Sequence, residues 1–260
     1  MTRILKRSLL ALGIATGIVA LGIAGLFVWT FAGRMPIADG VDFGPARIVK
    51  DGFVSLAVVD IGNHEVALVD AGNDPSAEGI LAELVRRGLG SDAVKLILLT
   101  HGHADHVAGI PRFPNAQVVA LAAESDLVAG LEGGHGPLTR MVPVHATGLR
   151  VTRPVNDGDT IALGNLQARV FAVPGHTAGC AAWLVGDVLF LGDSADAASD
   201  GRLVGAPFLF SDDTALNRAS LVGLAGRLAE LGAPVRAIVF SHSGALTGGL
   251  EPLARFANLP

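Results

Sequence analysis

Leu98-Leu99-Thr100-His101-Gly102-His103-Ala104-Asp105-His106 is the stretch on which the reading of this chain turns. An apolar run ends in three histidines and one aspartate packed into six residues. Such a cluster at the end of a buried strand is costly unless its imidazoles are ligated or hydrogen-bonded. His101 and His103, two apart on extended backbone, project to one side and can hold one cation. Asp105 and His106, on the turn that follows, can reach a second cation close by. Gly102 and Ala104 keep the intervening backbone small, so that it can fold around both.

Around this cluster lies a chain of 260 residues, 50% hydrophobic and only 17% charged. That length fits one domain plus an appendage and is ample for a core without staples. The net charge of -5 comes with no basic cluster in the body, which excludes a nucleic-acid partner held by many phosphate contacts. Cys180 is the single cysteine, so there is neither a disulfide framework nor a cysteine-built zinc knuckle. Any metal must be held by histidines and carboxylates.

The appendage is N-terminal. Residues 8–32 carry no charge, and about 25 residues of helix would reach roughly 37 Å, enough to cross a bilayer core. Arg3, Lys6 and Arg7 precede this run, whereas Asp39 and Asp42 follow it. The charge bias sets residues 1–7 in the cytoplasm and the body outside. Trp29 stands where an interfacial anchor belongs. A cleaved signal peptide would leave the body on the same side, but Phe31-Ala32-Gly33-Arg34 is a poor cleavage site. The expected organisation is therefore a transmembrane anchor at 8–32, a linker at 33–44 and a catalytic domain at 45–260.

Short apolar runs bounded by turn residues predict strands at 46–49, 53–60, 65–70, 94–100, 117–120, 166–173, 181–185, 188–191 and 235–240. Gly62-Asn63 and Gly186-Asp187 read as hairpin turns. One helix is expected after an Asp74 cap with Pro75 in its first turn, burying Ile80, Leu81, Leu84 and Val85. A second begins at Asp212-Asp213, with Leu216, Leu224, Leu228 and Leu231 along one side, and stops at Gly232. A third, short helix falls near 122–131, and residues 130–156 read as a long loop. Strands with interspersed helices make the class α+β.

Four further motifs complete a resemblance. His101 to His106 matches the H-x-H-x-D-H signature of the metallo-β-lactamase superfamily. Val69-Asp70-Ala71-Gly72, Pro174-Gly175-His176-Thr177, Leu191-Gly192-Asp193-Ser194 and Phe240-Ser241-His242-Ser243 resemble its other motifs, in order, over about residues 45–250. The resemblance implies a four-layer αβ/βα sandwich with metals at one edge. It implies that His101, His103 and His176 bind a first metal, Asp105, His106 and His242 a second, and that Asp193 bridges them. Asp70 would sit behind, fixing a loop or accepting a ligand's second N–H. Two zinc ions are implied, although iron or manganese also suits such ligands.

The implied chemistry is hydrolysis by a water ionised between the cations, with Asp105 orienting it as well as ligating. Ser194 and Cys180 are then bystanders. A bridging carboxylate is typical of the family's thioesterases, lactonases and phosphodiesterases rather than its β-lactamases. The expected substrate is a small ester, thioester or lactone. Glutathione thioesters fit less well, because only about 18 residues follow His242 and the family's glutathione enzymes carry a basic helical domain there. A phosphodiester or β-lactam hydrolase, or a membrane-anchored metal-binding sensor, are the alternatives. His64 reads as a solvated turn residue; His135 and His145, in the long loop, are candidates for substrate contact.

Overall fold

The computed structural model describes residues 3–259, and within them the side chains of residues 3–12, Ala15, Val19, Ile23 and Trp29 lie outside the description. Two units divide the chain at Gly33 and Arg34. The first holds helix α1 (Arg3–Phe31). The expected span at 8–32 falls on this helix but partly on side chains outside the description, as do Arg3, Lys6, Arg7 and Trp29. Among the described residues no helix is long and apolar enough to cross a membrane.

The second unit is built on two sheets. Strands β1 (Asp42–Phe43), β2 (Ala46–Asp51), β3 (Val54–Gly62), β4 (Glu65–Val69), β5 (Val94–Leu98), β6 (Gln117–Leu121) and β7 (Arg153–Val155) lie side by side in chain order. The other sheet takes β8 (Thr160–Leu163), β9 (Leu166–Ala172), β10 (Ala181–Val185) and β11 (Val188–Phe190) in sequence. A small ribbon of β12 (Ala195–Ala197) and β13 (Leu203–Gly205) follows, and β14 (Ala237–Val239) and β15 (Leu246–Thr247) then extend the second sheet beyond β11.

Alternation along the strands explains the layering, since successive side chains point to opposite faces. In β4, Ala67 and Val69 face the inter-sheet core, whereas Val66 and Leu68 face an outer core with Ile80 and Leu84 of α2 (Glu78–Arg86). In β10, Ala181, Trp183 and Val185 face inward, while Ala182 and Leu184 meet Leu221, Leu224 and Leu228 of a later helix, Thr214–Glu230. Helix, sheet, sheet and helix are the four layers. Trp183 is buried between the sheets, and its indole N–H donates to Leu99 O at 2.9 Å. That bond satisfies the one polar group such a ring brings into the core.

Several expectations need correcting. Helix α2 starts at Glu78, not directly after Asp74. The Asp74 carboxylate accepts the N–H groups of Ser76 and Glu78, and Ala77, at φ 53, breaks the helix before it can start earlier. Val85, Leu216 and Leu231 are exposed instead of buried. In the helix Thr214–Glu230 the buried stripe runs through Asn217, Leu221, Leu224 and Leu228, and Leu216 stands about 100° away from it. Asp213 does cap that helix, accepting Ala215 and Leu216 N–H at 2.9 Å each. The segment near 122–131 splits into a 3-10 turn and the four-residue α-helix Ser125–Val128. The first hairpin turns on Asn63-His64, both with positive φ, one residue later than expected. Residues 130–156 are mostly loop, but their end pairs with β6 as β7.

Candidate metal centre

Strands β4 and β5 run parallel, as do β11 and β14, and β9 runs the same way as β11 through two antiparallel steps. Five strands therefore end at comparable points, and each hands one polar residue or group to the loop that follows. Asp70 follows β4, His101 to His106 follow β5, His176 follows β9, Asp193 follows β11 and His242 follows β14. Two glycines make the approach tight. A Cβ on Gly102 would lie 2.8 Å from Val128 N, and one on Gly192, at φ +53, would lie 2.5 Å from Thr100 Oγ1.

The structure brings all seven residues singled out in the sequence together. His103 Nδ1 lies 3.1 Å from His101 Nε2 and 3.0 Å from His176 Nε2. Asp193 Oδ2 lies 3.5 Å from His176 Nε2 and 3.9 Å from His101 Nε2. On the other side, Asp105 Oδ2 is 3.3 Å from His242 Nε2 and 3.8 Å from His106 Nε2. Asp193 faces this group too, with Oδ1 3.3 Å from His106 Nε2 and Oδ2 3.1 Å from His242 Nε2.

These spacings fit ligation better than hydrogen bonding. Donors about 2.05 Å from a tetrahedral metal stand about 3.3 Å from one another. His103 Nδ1 faces two imidazole nitrogens at once, and one proton cannot serve both. His106 Nε2 and Asp193 Oδ1 are buried, face each other at 3.3 Å outside hydrogen-bond geometry, and have no other partner. Orphaned buried donors and acceptors of this kind are rare unless an ion or water completes them. Among the described residues, three groups can each converge on one ion: His101 with His103 and His176, His101 with His106 and Asp193, and Asp105 with His106 and His242.

The outer nitrogens fix the ring orientations. His101 Nδ1 meets Thr100 Oγ1 at 3.1 Å, and His106 Nδ1 meets Asp70 Oδ2 at 2.9 Å. His176 Nδ1 meets Ser211 Oγ at 3.0 Å, and His242 Nδ1 meets the Phe53 carbonyl at 2.8 Å. Each partner is an oxygen able to accept, so each ring donates outward and points its other nitrogen inward. Asp70 is thus where the motif reading put it, and it also accepts the N–H and hydroxyl of Thr100 at 2.7 and 2.8 Å.

Electrostatics divides the two groups. Burial holds His101 and His103 below the ordinary imidazole range and pushes His176 down to about 3. Burial opposes charge on His106 and His242 too, but Asp193, together with Asp105, outweighs it and raises both well above the ordinary value. Asp193 is held well below the carboxylate range, because His242 and His106 outweigh its own burial.

Glu124 escaped the sequence reading. It is 1% exposed, and its Oε1 accepts Gly102 N–H at 2.8 Å and the Thr177 hydroxyl at 2.9 Å. It also accepts the Gly179 N–H, and burial pushes its carboxyl up to about 7. Glu124 therefore ties the loop of His101 and His103 to the loop of His176. Ser211 and Thr100 were missed likewise. His135 and His145 stay outside the cluster: the His135 ring is 66% exposed and bonded to Glu132 at 3.0 Å. Burial pushes the Cys180 thiol well above its usual range, and Ser194 is fully buried.

Comparisons with known proteins agree with this geometry. Residues 49–242 match the model of the metallo-beta-lactamase superfamily, and the chain belongs to that family. A hydroxyacylglutathione hydrolase of Aliivibrio salmonicida is 37% identical over 145 residues, 54% of this chain and 46% of that protein. The chain spans about half the length, or less, of the first curated relatives it matches. Among solved structures, a B3 metallo-beta-lactamase with an active-site glutamic acid superposes with a TM-score of 0.65 at 20% identity, covering 86% of this chain and 88% of the other. The metallo-beta-lactamase SMB-1 bound to 2-mercaptoethanesulfonate does so at 0.58 and 26% identity, covering 81% and 80%. The solved structures share the fold of the second unit, and the curated relatives are named as hydrolases.

Proposed function

We propose that this chain is a dinuclear metal-dependent hydrolase of small esters, thioesters or lactones. Zinc is the favoured ion, and α1 holds the catalytic body on the outer side of a membrane. The observation that carries the reading is Asp193, whose carboxylate faces His101 and His176 on one side and His106 and His242 on the other. Two cations held there would supply an ionised water near neutral pH and polarise the scissile carbonyl.

The protein's own part is positioning. His101, His103, His176 and Asp193 would hold the first ion; Asp105, His106, His242 and Asp193 the second. Asp105 is 22% exposed against 6% for Asp193, so it faces the entrance and can accept a hydrogen bond from the attacking water. With Ser194 and Cys180 buried, no covalent nucleophile is needed. The hydroxyacylglutathione hydrolases, by name hydrolases of an acyl glutathione, support a carbonyl substrate. A β-lactam is the second reading, favoured by the 26% identity to SMB-1. The uncharged run at 8–32 and the basic residues before it support the anchor.

The test is a substrate panel on the full-length, detergent-solubilised protein loaded with zinc. It comprises chromogenic esters, thioesters, lactones, phosphodiesters and nitrocefin. Turnover of a carbonyl ester class, lost in Asp105→Ala with the fold intact, is expected. Preference for nitrocefin moves the assignment to the second reading, and no turnover with two metals bound leaves a metal-binding sensor. Full activity in Asp105→Ala overturns the mechanism.

A further inference from the structure

The loop from Gly130 to Thr147 closes on itself, with Thr147 N–H donating to Ala129 O at 3.0 Å. It is fastened against the first group of ligands at several points. Leu138 N–H donates to Leu209 O at 2.8 Å, and His135 N–H to Asp212 Oδ1 at 2.6 Å. Asp212 N–H in turn donates to His176 O. A Cβ on Gly134 would stand 3.4 Å from His103 Nε2 and 2.5 Å from the side chain of Thr139. The loop is therefore a lip beside the metal centre.

This lip and the turn it docks on display Leu131, Met141, Val142, Val144 and Phe208, each between 53% and 74% exposed. Single exposed apolar residues are ordinary, but several large ones beside a polar centre mark a binding surface. Across the centre, Phe53, also exposed, stacks on the His242 ring at 5.9 Å. The charges on the lip point the same way. In residues 130–148 and 207–213 the only lysine or arginine is Arg140, and its Nε already donates to Gly136 O at 3.1 Å. Glu132, Asp212 and Asp213 add negative charge.

We infer that the lip takes an uncharged, apolar chain joined to the scissile carbonyl, so that the enzyme prefers medium-chain acyl substrates over short or anionic ones. The inference rests on the hydrolase reading above and narrows it. An anionic tail would meet three acidic side chains, Glu132, Asp212 and Asp213, against the single guanidinium of Arg140. An alkyl tail would bury itself against Met141, Val142 and Val144, at a gain of roughly four-fold in kcat/KM per enclosed methylene.

The experiment is a length series of p-nitrophenyl esters, from acetate through butyrate and hexanoate to octanoate, with an ω-carboxylated octanoate beside it. It uses the full-length, zinc-loaded protein and the variant Met141→Gln, Val142→Thr, Val144→Thr, whose changes are all at exposed positions. Wild type is expected to show kcat/KM rising with chain length, with the ω-carboxylated ester at least about ten-fold slower than octanoate. In the variant the octanoate-to-acetate ratio should fall by about ten-fold or more. A flat series with all esters hydrolysed overturns the inference and leaves the hydrolase reading standing. An undiminished ratio in the variant also overturns it. No ester hydrolysis at any length by protein that turns over another member of the wider panel also overturns the inference, whereas no turnover of the whole panel with two metals bound overturns the hydrolase reading itself.

Discussion

Replacing Asp70 by Asn tests how far the second group of ligands depends on a residue that touches no ion. Asp70 accepts three hydrogen bonds, from Thr100 N–H, the Thr100 hydroxyl and His106 Nδ1. An amide keeps only one acceptor oxygen. Whichever way it turns, a buried N–H is left facing an N–H, at a cost of about 1–3 kcal/mol. Backbone strain does not confuse the result, because Asn adopts the φ of 61° at this position as readily as Asp. Losing the carboxylate behind a ligating histidine lowers metal affinity by about 10–100-fold, or about 1.4–2.7 kcal/mol. Chelator-competition titration of the metal-free protein, which resolves two binding steps, is the assay. The step that fills the group containing His106 should lose that factor, with a smaller change in the other, which reaches Asp70 only through Thr100 and His101. Both steps staying within about two-fold of wild type would refute the role given to Asp70.

Glu124→Ala should lower the affinity of the first ligand group by at least about ten-fold, because Gly102 N–H and the Thr177 hydroxyl lose a buried acceptor. Glu124→Gln keeps one acceptor oxygen but turns an N–H toward the N–H of Gly102 or Gly179, and should recover only part of the loss in the same titration. In the metal-free protein His106 and His242 hold protons that a metal must displace, whereas His101, His103 and His176 are already neutral. Lowering pH from about 8 to about 6 should therefore release the second metal before the first, read as metal content after dialysis at each pH. Loss of both ions together would count against that order. Cys180→Ala should retain wild-type turnover, and native protein should not react with a thiol reagent, since the thiol is buried and its deprotonation suppressed.

The metal residues were legible because they are adjacent in sequence or set in short motifs, and because the ends of co-directional strands gather such motifs at one edge. The strands of the two sheets were legible through alternation, as in β4 and β10. What stayed hidden depends on partners far along the chain. Glu124 meets Gly102 at a separation of 22 residues and Thr177 at 53, and Ser211 meets His176 at 35. No local pattern marks an acceptor for such bonds. Short strands such as β12, β13 and β15 have too few residues to display a period. The delayed start of α2 came from a left-handed Ala77, a conformation that sequence does not announce for alanine.

On the proposed reading, Asp193 joins two metal sites in one centre. The direct measurement is elemental analysis of protein saturated with zinc and then freed of excess by desalting, for wild type and Asp193→Ala. Two ions per wild-type chain and fewer than two in the variant are expected, since both ligand groups lose a donor. One ion or none in wild type, or two ions retained unchanged in Asp193→Ala, would contradict that reading.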